Sequence, residues 1–333
     1  MKLDLGLLKR LLVIDHPSKQ EWPMLSFIIN ECYKIGNLEF EMDCYNNIFI
    51  TKNTNNPDFY PCVIAHTDCV LPHKNKEVKI KEGNMYGRDS KTGKRIGLGM
   101  DDAVGVCMAI QLLRQIPDLK AVFTTEEEVG FMGASEAADN IEFFFNVGYM
   151  IQADRHGNHD LITHTNGIYS ASDEWLDKIT PVANKYQYKE EFGLGTDVGE
   201  LAGQLGISGV NISCGYNKEH TDKEWMSISA AQNCLDFMEE IIKTVALDKQ
   251  YTIDLQKAWY GYYGNYSKYN TGNYDIRDYA ADDYPREEDV YEEGYRAYQK
   301  AYEEYENDEY RDDYELPCDH CSDMNCMNCT KFY

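Results

Sequence analysis

The sequence of 333 residues lacks an excess of positive charge and lacks any long apolar run. It has 32 Lys and Arg against 57 Asp and Glu, which gives a net charge of −25 at pH 7. Proteins that follow the phosphates of nucleic acids or dock on anionic membranes present basic surfaces, so this balance argues against both classes. No apolar run approaches the roughly 18 residues of a transmembrane helix, so we expect no membrane span.

The N-terminal stretch also lacks the pattern of a secretion signal. Lys9 and Arg10 interrupt its apolar run, and no small-residue cleavage site follows. We therefore interpret this stretch as an amphipathic helix and expect a cytoplasmic protein. In that compartment the 11 cysteines are expected to be reduced thiols or metal ligands and not a disulfide framework.

Residues 1–250 alternate short apolar runs with helical patterns and are predicted to form one domain. Four runs are typical of buried strands: 60–65, 119–124, 147–153 and 209–213. Helices are predicted over 102–116, where Pro117 ends the pattern, and over 228–245, where apolar residues recur every three or four positions. Strands that alternate with helices indicate an α/β sheet covered by helices on both faces.

The composition changes near residue 251. Residues 258–317 hold 15 of the 26 tyrosines and carry 17 acidic against 6 basic side chains, with almost no Leu, Ile or Val. Such a segment buries too little aliphatic surface to offset the entropy that is lost when it becomes ordered. We interpret residues 251–317 as an acidic, tyrosine-rich linker that is partly disordered or helical. The alternative is a docking element for a protein partner.

The last 16 residues contain two Cys-x2-Cys pairs separated by four residues: Cys318, Cys321, Cys326 and Cys329. Paired knuckles of this type can present four thiolates to one metal ion in a tetrahedral arrangement. We predict a structural zinc site in residues 318–333. An iron–sulfur site and terminal thiols without a metal are the alternatives.

Histidine and carboxylate side chains follow each predicted strand or precede the first predicted helix. They are His66 and Asp68, Asp101, Glu127 and Glu128, Asp154, and His220 beyond the last strand. The functional crevice of an open α/β sheet lies outside the carboxyl ends of its strands, so one pocket could collect all of these residues. Two histidines and several carboxylates in one apolar pocket would form a strongly repulsive cluster unless cations neutralised them.

Two divalent cations would supply that neutralisation. Imidazole combined with carboxylate favours zinc or a similar first-row ion over calcium. A two-metal site needs a bridging carboxylate and a hydroxide between the ions, and Asp101 suits the bridge because a helix begins beside it. Glu127 could then be the general base. Asp68 lies two residues from His66 and could accept the second ring N–H of this histidine.

Six stretches of the chain match, in order, motifs of a known enzyme family. They are AHTD (65–68), GMDDAVG (99–105), TEEEVGFMGA (125–134), ADRHG (153–157), GTD (195–197), and NISCGY (211–216) followed by HT (220–221). Over about residues 1–247 the chain resembles the co-catalytic di-zinc exopeptidases, which comprise the M28 aminopeptidase group and its M20 and M42 relatives.

The resemblance implies which side chains bind the two ions. One ion would be bound by His66, Asp154 and a bridging Asp101. The other would be bound by Glu128, His220 and the same Asp101. Two divalent cations are therefore the expected cofactors, with zinc as the expected metal and cobalt or manganese as alternatives.

The resemblance also implies roles for residues that bind no metal. Glu127 would be the general base, and Asp68 would orient His66. Tyr216 occupies a position from which it could help to polarise the scissile carbonyl, and Arg155 matches a position near the substrate pocket. A cis peptide is implied directly after the bridging aspartate.

The fold implied by the resemblance is a mixed, largely parallel central sheet with helices on both faces. Many M20 and M42 relatives insert a lid or dimerisation domain between the fourth and fifth metal ligands. Only 41 residues separate Asp154 from Thr196, which is too few for such a domain. We therefore expect residues 1–250 to be a di-metal peptidase catalytic domain without a separate lid, closest to the M28 type.

The predicted activity is metal-dependent hydrolysis of an amide bond in small peptides. We expect an aminopeptidase that uses a metal-bridging hydroxide, with Glu127 as the general base. The alternatives are a non-peptide amidase or deacylase, a carboxypeptidase or dipeptidase with the same site, and a non-enzymatic interaction protein. The last alternative is disfavoured because the base and all five ligand candidates are present. A small peptide is the expected partner, with neither nucleic acid nor membrane.

Overall fold

The computed structural model describes residues 1–254, which contain eight helices and 14 strands. The helices are α1 (Leu5–Leu12), α2 (Trp22–Tyr33), α3 (Met100–Gln115), α4 (Met132–Ala137), α5 (Ile141–Phe144), α6 (Asp173–Lys185), α7 (Asp197–Leu205) and α8 (Ile228–Thr244). The strands are β1 (Leu38–Met42), β2 (Ile48–Lys52), β3 (Tyr60–His66), β4 (Lys76–Lys81), β5 (Asn84–Asp89), β6 (Arg95–Ile96), β7 (Leu119–Thr124), β8 (Val147–Arg155), β9 (Asp160–Thr165), β10 (Ile168–Tyr169), β11 (Lys189–Phe192), β12 (Gly209–Ser213), β13 (Tyr216–Asn217) and β14 (Trp225–Ser227).

Two predictions lie outside the described residues. They are the acidic, tyrosine-rich linker predicted over residues 251–317, of which only 251–254 are described, with its alternative role as a docking element, and the zinc site predicted at Cys318, Cys321, Cys326 and Cys329.

The four strands predicted from apolar runs form the centre of the main sheet. This sheet has nine strands in the order β1-β2-β7-β3-β8-β12-β9-β10, with β11 paired to β9. β7, β3, β8 and β12 run parallel to their neighbours in this central block. The pairings of β1 with β2, β2 with β7 and β12 with β9 are antiparallel. The predicted mixed sheet with a parallel centre is therefore confirmed.

Both faces of the central strands are buried, which explains their continuous apolar sequences. In β3, Val63 and Ala65 contact one core, whereas Cys62 and Ile64 contact the other. Helices α1, α2, α3, α6 and α8 pack on the first face, and α4, α5 and α7 pack on the second. This arrangement confirms the prediction of helices on both faces.

The direction of the connections reverses at β3. From β3 the chain passes through α3 to β7 on one side, and then through α4 and α5 to β8 on the other side of β3. Ligand sites in open α/β sheets lie at such a reversal, outside the carboxyl ends of the strands. The residues that follow β3, β7 and β8 therefore meet at one crevice.

The segment between Asp154 and Thr196 belongs to the main sheet and forms no separate domain. It supplies β9, β10 and β11, which extend one edge of the sheet. It also supplies α6, which buries Trp175 and Ile179 against the first core. Within residues 1–254, the expectation of no inserted lid domain is confirmed.

A second, antiparallel sheet joins two distant parts of the chain. Its strands lie in the order β13-β14-β5-β4, and β6 pairs with β5. Met226 of β14 lies opposite Met85 of β5. This pairing brings the segment that follows β6 and leads to Asp101 beside the loop between β13 and β14, which carries His220.

The N-terminal stretch folds as the predicted amphipathic helix. Asp4 caps α1 by accepting hydrogen bonds from two backbone N–H groups in its first turn. The leucines on one side of α1 are buried, whereas Lys9 and Arg10 are exposed. The seven cysteines of the described residues are free thiols, as expected. None of the helices within residues 1–254 combines the length and apolar character needed to cross a bilayer.

Candidate functional site

The crevice at the carboxyl ends of the central strands collects all five predicted metal ligands. They are His66 at the end of β3, Asp101 at the start of α3, Glu128 after β7, Asp154 near the end of β8, and His220 between β13 and β14. They come from five separate segments of the chain. The topology of the sheet, and not their spacing in the sequence, brings them together.

His66 contacts two of the predicted carboxylates through one ring nitrogen. Its Nε2 lies 2.9 Å from Asp101 Oδ1 and 3.5 Å from Asp154 Oδ1. Burial alone would lower the pKa of His66, but the carboxylates of Asp154 and Glu127 raise it well above its usual range. These three ligand candidates are therefore adjacent, as the predicted set for the first ion requires.

His220 is placed in the same way on the other side of Asp101. Its Nε2 lies 2.9 Å from Glu128 Oε1 and 3.3 Å from Asp101 Oδ2. Burial opposes ionisation of Asp101, yet the hydrogen bonds from His220 and His66 hold the pKa of this carboxyl far below its usual range. Asp101 thus presents one oxygen to each histidine, and its predicted role as a bridging ligand stays a prediction.

The donor atoms of the crevice fit divalent cations. In the described part of the chain, three groups of side chains have ligand atoms within 4.8 Å of one another: Asp101, Glu128 and His220; His66, Glu127 and Glu128; and His66, Asp102 and Asp154. Burial and the charge of Asp101 raise the pKa of Asp154 to about 8, because crowded carboxylates resist a further negative charge. Imidazole and carboxylate donors together suit zinc and similar first-row ions.

Asp102 enters one of these groups although the resemblance assigns it no ligand role. Its Oδ1 accepts a hydrogen bond from Gly105 N at 2.9 Å, and its Oδ2 accepts one from His66 N at 3.3 Å. A Cβ at position 105 would lie only 2.4 Å from Asp102 Oδ1, so this contact requires glycine. Asp102 therefore ties the end of β3 to the first turn of α3. The peptide between Asp101 and Asp102 is cis, as the resemblance implied.

Asp68 contacts both the first histidine and the segment after β7. Its Oδ1 lies 3.4 Å from His66 Nδ1, which also lies 3.1 Å from the Asp68 carbonyl oxygen. Its two carboxylate oxygens accept hydrogen bonds from Glu127 N at 3.0 Å and Glu128 N at 3.2 Å. Ser18 Oγ donates a further bond at 2.6 Å. Asp68 is thus placed to orient His66 and to hold the backbone of the Glu127–Glu128 segment.

Glu127 lies close to two of the predicted metal ligands, His66 and Glu128. One carboxylate oxygen of Glu127, a ring nitrogen of His66 and a carboxylate oxygen of Glu128 lie within 4.8 Å of one another. Burial raises the pKa of Glu127 well above its usual range, and the charges of Glu128 and Asp197 add to this effect while His66 opposes it. A carboxylate with a raised pKa beside candidate metal ligands is suited to accept and return a proton.

The structure places Tyr216 and Arg155 against neighbouring acids. Tyr216 is buried, and its hydroxyl donates a hydrogen bond to Asp154 Oδ1 at 3.1 Å. Arg155 Nε lies 3.3 Å from Asp160 Oδ2. Tyr216 therefore supports a ligand candidate, and the predicted roles of both residues toward a substrate stay predictions.

Three polar residues support Asp154: Thr196 and Asn211 lie in motifs that match the family but had no role predicted, and Gln152 was not found from the sequence. Gln152 Nε2 donates to Asp154 Oδ2 at 3.0 Å, and Thr196 Oγ1 donates to the same oxygen at 3.3 Å. Asn211 accepts from Asp154 N and donates to its carbonyl oxygen. One signal was available: Gln152 lies two residues before Asp154 in β8, so the alternation of a strand places both on one face.

The sequence model of the M42 glutamyl aminopeptidase family matches residues 87–237. This region is less than half of the chain, and it contains Asp101, Glu127, Glu128, Asp154 and His220. A search of the curated proteins gives no significant match.

Several solved peptidase structures share the fold. Aminopeptidase PepT from Bacillus cereus aligns with a TM-score of 0.62 at 14% identity, over 72% of this chain and 97% of its own. A tripeptidase from Staphylococcus aureus aligns with a TM-score of 0.60 at 17% identity, over 72% and 96%. An aminopeptidase from the archaeon Desulfurococcus kamchatkensis aligns with a TM-score of 0.56 at 15% identity, over 73% and 95%.

The two kinds of comparison support different statements. At these identities the solved structures show a shared fold. The family match adds peptidase character to the region that carries most of the candidate site. Together with the crevice of His and carboxylate donors, they support a metallo-exopeptidase of the superfamily that includes the M28, M20 and M42 peptidases.

Proposed function

We propose that this chain is an aminopeptidase that hydrolyses the first peptide bond of small peptides with the help of two divalent cations. The observation that carries this proposal is the position of Asp101, which contacts His66 through one oxygen and His220 through the other. Each histidine also contacts a second carboxylate, Asp154 or Glu128. This pairing matches the ligand sets that the family resemblance implies.

Each half of the crevice would hold one ion. His66, Asp101 and Asp154 would bind the first, and Asp101, Glu128 and His220 would bind the second, with zinc as the proposed metal and cobalt or manganese as alternatives. When bound, such ions polarise a carbonyl oxygen and lower the pKa of a water molecule.

The proposed catalytic residue of the protein itself is Glu127. Its carboxylate would take a proton from the attacking water and return it to the nitrogen of the leaving amine. The hydrogen bond from Glu127 N to Asp68 fixes the backbone from which this carboxylate projects. The raised pKa of Glu127 favours uptake of the proton from water, and the more basic nitrogen of the leaving amine would then accept it.

The proposed substrate is a short peptide with a free amino terminus. A cationic α-amine suits a crevice rich in carboxylates. The net charge of the chain, −25, is also negative and would attract such a cation. Within the described residues no lid domain separates Asp154 from Thr196, so the proposed enzyme is a lidless member of the superfamily, of the M28 type. A cytoplasmic location remains part of the proposal.

A matched pair of peptides tests this function. Metal-stripped protein is reloaded with zinc, cobalt or manganese and is given one peptide with a free N-terminus and the same peptide acetylated. Cleavage of the free peptide alone, after its first residue, is the expected result. Cleavage of both peptides at an internal or C-terminal bond would contradict an aminopeptidase. No cleavage of either by protein that holds two ions would favour a non-peptide amide as substrate.

A further inference from the structure

Glu224 is a buried carboxylate that the proposed mechanism does not use. It has 2% exposure and accepts hydrogen bonds from three consecutive backbone N–H groups. Oε2 accepts from Leu98 N at 2.6 Å and from Gly99 N at 3.0 Å, and Oε1 accepts from Met100 N at 2.9 Å. Residues 98–100, which we call the Asp101 turn, directly precede the proposed bridging ligand.

A buried cation holds the same turn from its other side. Lys76 Nζ donates to Leu98 O at 3.2 Å and to Ile14 O at 2.7 Å. The N–H of Leu98 is therefore bound by a carboxylate, and the C=O of Leu98 by an ammonium group. Hydrogen bonds to charged groups are stronger than those between neutral groups, so this pair restricts the turn more than neutral partners would.

The turn has little room to move between these two charges. Gly99 has a left-handed φ of 71°, and a Cβ there would lie 3.1 Å from Cys69 Cβ and 3.2 Å from His16 Nε2. At Gly97, just before the turn, a Cβ would lie 3.0 Å from the carbonyl oxygen of Thr221. The chain therefore passes close to the His220 loop immediately before it reaches Asp101.

Glu224 belongs to the loop that carries the second histidine. It follows His220 by four residues, and its own N–H donates to Thr221 O at 3.1 Å. The carboxylate that fixes the Asp101 turn is thus attached to the His220 loop through a short, hydrogen-bonded segment. The distance of 3.3 Å between His220 Nε2 and Asp101 Oδ2 depends on the relative position of these two segments.

We propose that Glu224 is a positioning residue that sets the separation of Asp101 and His220, and thereby the affinity for the ion that these residues share with Glu128. This inference rests on the proposed metal site and assigns Glu224 no contact with substrate. Loss of such a supporting contact typically lowers metal affinity by about 10- to 100-fold.

The test uses Glu224→Gln in the full chain. Glutamine has nearly the same shape, but its amide NH2 cannot accept a hydrogen bond, so at least one N–H of the turn loses its partner. Asp118→Asn is the matched control. Asp118 also accepts hydrogen bonds from loop N–H groups, those of Thr54 and Asn55, but it precedes β7 at the opposite end of the sheet from the site.

Metal affinity and stability are measured separately for both variants. Binding of zinc is followed by competition with a chelator at a temperature where both variants are folded, and thermal unfolding is recorded without metal. We expect Glu224→Gln to lower the affinity for one of the two ions, the one assigned to Asp101, Glu128 and His220, by about 10- to 100-fold, while the affinity for the other ion changes little. Asp118→Asn is expected to lower thermal stability and to leave both affinities unchanged.

Activity as a function of metal concentration gives a further readout. For Glu224→Gln, the metal concentration at half-maximal activity should rise by about the same factor as the dissociation constant, and kcat should be largely restored by excess metal. Two unchanged affinities in Glu224→Gln would overturn the positioning role. A proportional loss in both variants would overturn it too, because it would indicate a general loss of stability. Wild-type protein that binds no metal would contradict the proposed function, and this proposal with it.

Discussion

The two histidines of the candidate centre are held in different ways. His66 ends a central strand, its side chain has 0% exposure, and its second ring nitrogen faces Asp68. His220 lies in the loop between β13 and β14, with a left-handed φ of 57° and a side chain that is 34% exposed. The His66 half is therefore built on the sheet, and the His220 half is built on a loop.

This difference indicates which half should bind its ion more tightly. Ligands that are already fixed lose little conformational entropy on binding, so a half with a buried histidine on a strand gains affinity over a half with a partly exposed histidine on a loop. We expect the first ion to be bound tightly by His66 and its neighbours, and the second ion to exchange more readily at His220. Asp101 belongs to both halves and couples them.

The largest expected effect is a loss of turnover in a variant that still binds the ions of both halves. Glu127→Gln should lower kcat by about 10²- to 10⁴-fold, because the general base is lost. Both ions should remain bound, as measured by metal analysis after dialysis. Glu126→Gln, the neighbouring change in the same acidic run, should retain most of the activity. A Glu127→Gln protein that keeps its turnover would remove this residue from the mechanism.

Glu127→Gln also has an expected effect on stability. In metal-free protein it removes one of several crowded carboxylates, so the variant should unfold at a higher temperature than the wild type. A lower unfolding temperature would show that Glu127 has favourable contacts that this interpretation omits.

Removal of each histidine tests the comparison of the two halves directly. His220→Ala should release the weaker ion and leave the tighter one bound. His66→Ala should release the tighter ion and should also destabilise the metal-free protein by about 3 kcal/mol, since it leaves buried carboxylates without their cationic partner. Metal content and chemical unfolding measure the two effects. Equal losses from both variants would show that the halves do not differ.

Asp68→Asn tests the support of the His66 half. The substitution weakens the contact with His66 Nδ1 and replaces one acceptor for the N–H groups of Glu127 and Glu128. Zinc affinity of the tighter site should fall by about 10- to 100-fold, as measured by chelator competition. Ser18→Ala removes only one hydrogen bond from Asp68 and should have a smaller effect in the same direction.

The smallest expected effect is that of Tyr216→Phe. This change removes the hydrogen bond to Asp154, which is worth about 1 kcal/mol, so metal affinity should fall by only a few fold. The kcat measured at saturating metal should change little. A fall of about 100-fold in kcat would instead support the role that the family resemblance implies, in which Tyr216 helps to polarise the scissile carbonyl.

The central strands could be predicted because they are buried on both faces and therefore have continuous apolar sequences. β7 and β12 begin and end where their apolar runs do, and β3 and β8 extend one and two residues beyond theirs. Strands such as β4, with the sequence KEVKIK, and β11, which is exposed throughout, were not predicted. Such strands form because a partner strand binds their backbone, β5 for β4 and β9 for β11, and their own side chains give little indication of it.

The ligand candidates could be predicted for a related reason, whereas their supporting residues could not. Histidine and carboxylate residues directly after apolar strands are informative because parallel strands end at one edge of a sheet. Glu224 is 126 residues from Leu98, whose N–H it binds, and Gln152 acts on Asp154 only through the geometry of β8. Buried acceptors of this type have no local pattern that distinguishes them from charged surface residues.

The sequence by itself determined the class of the protein: apolar runs of strand length, helices between them, and acids and histidines at the points where the strands end. Only the tertiary structure decided which oxygen of Asp101 meets which histidine, and which buried charges hold the turn before it. The physical reason is that hydrophobic burial depends on residue type and periodicity, which are local properties. Hydrogen bonds and metal-binding distances depend on a few tenths of an ångström between segments that only the folded chain brings together.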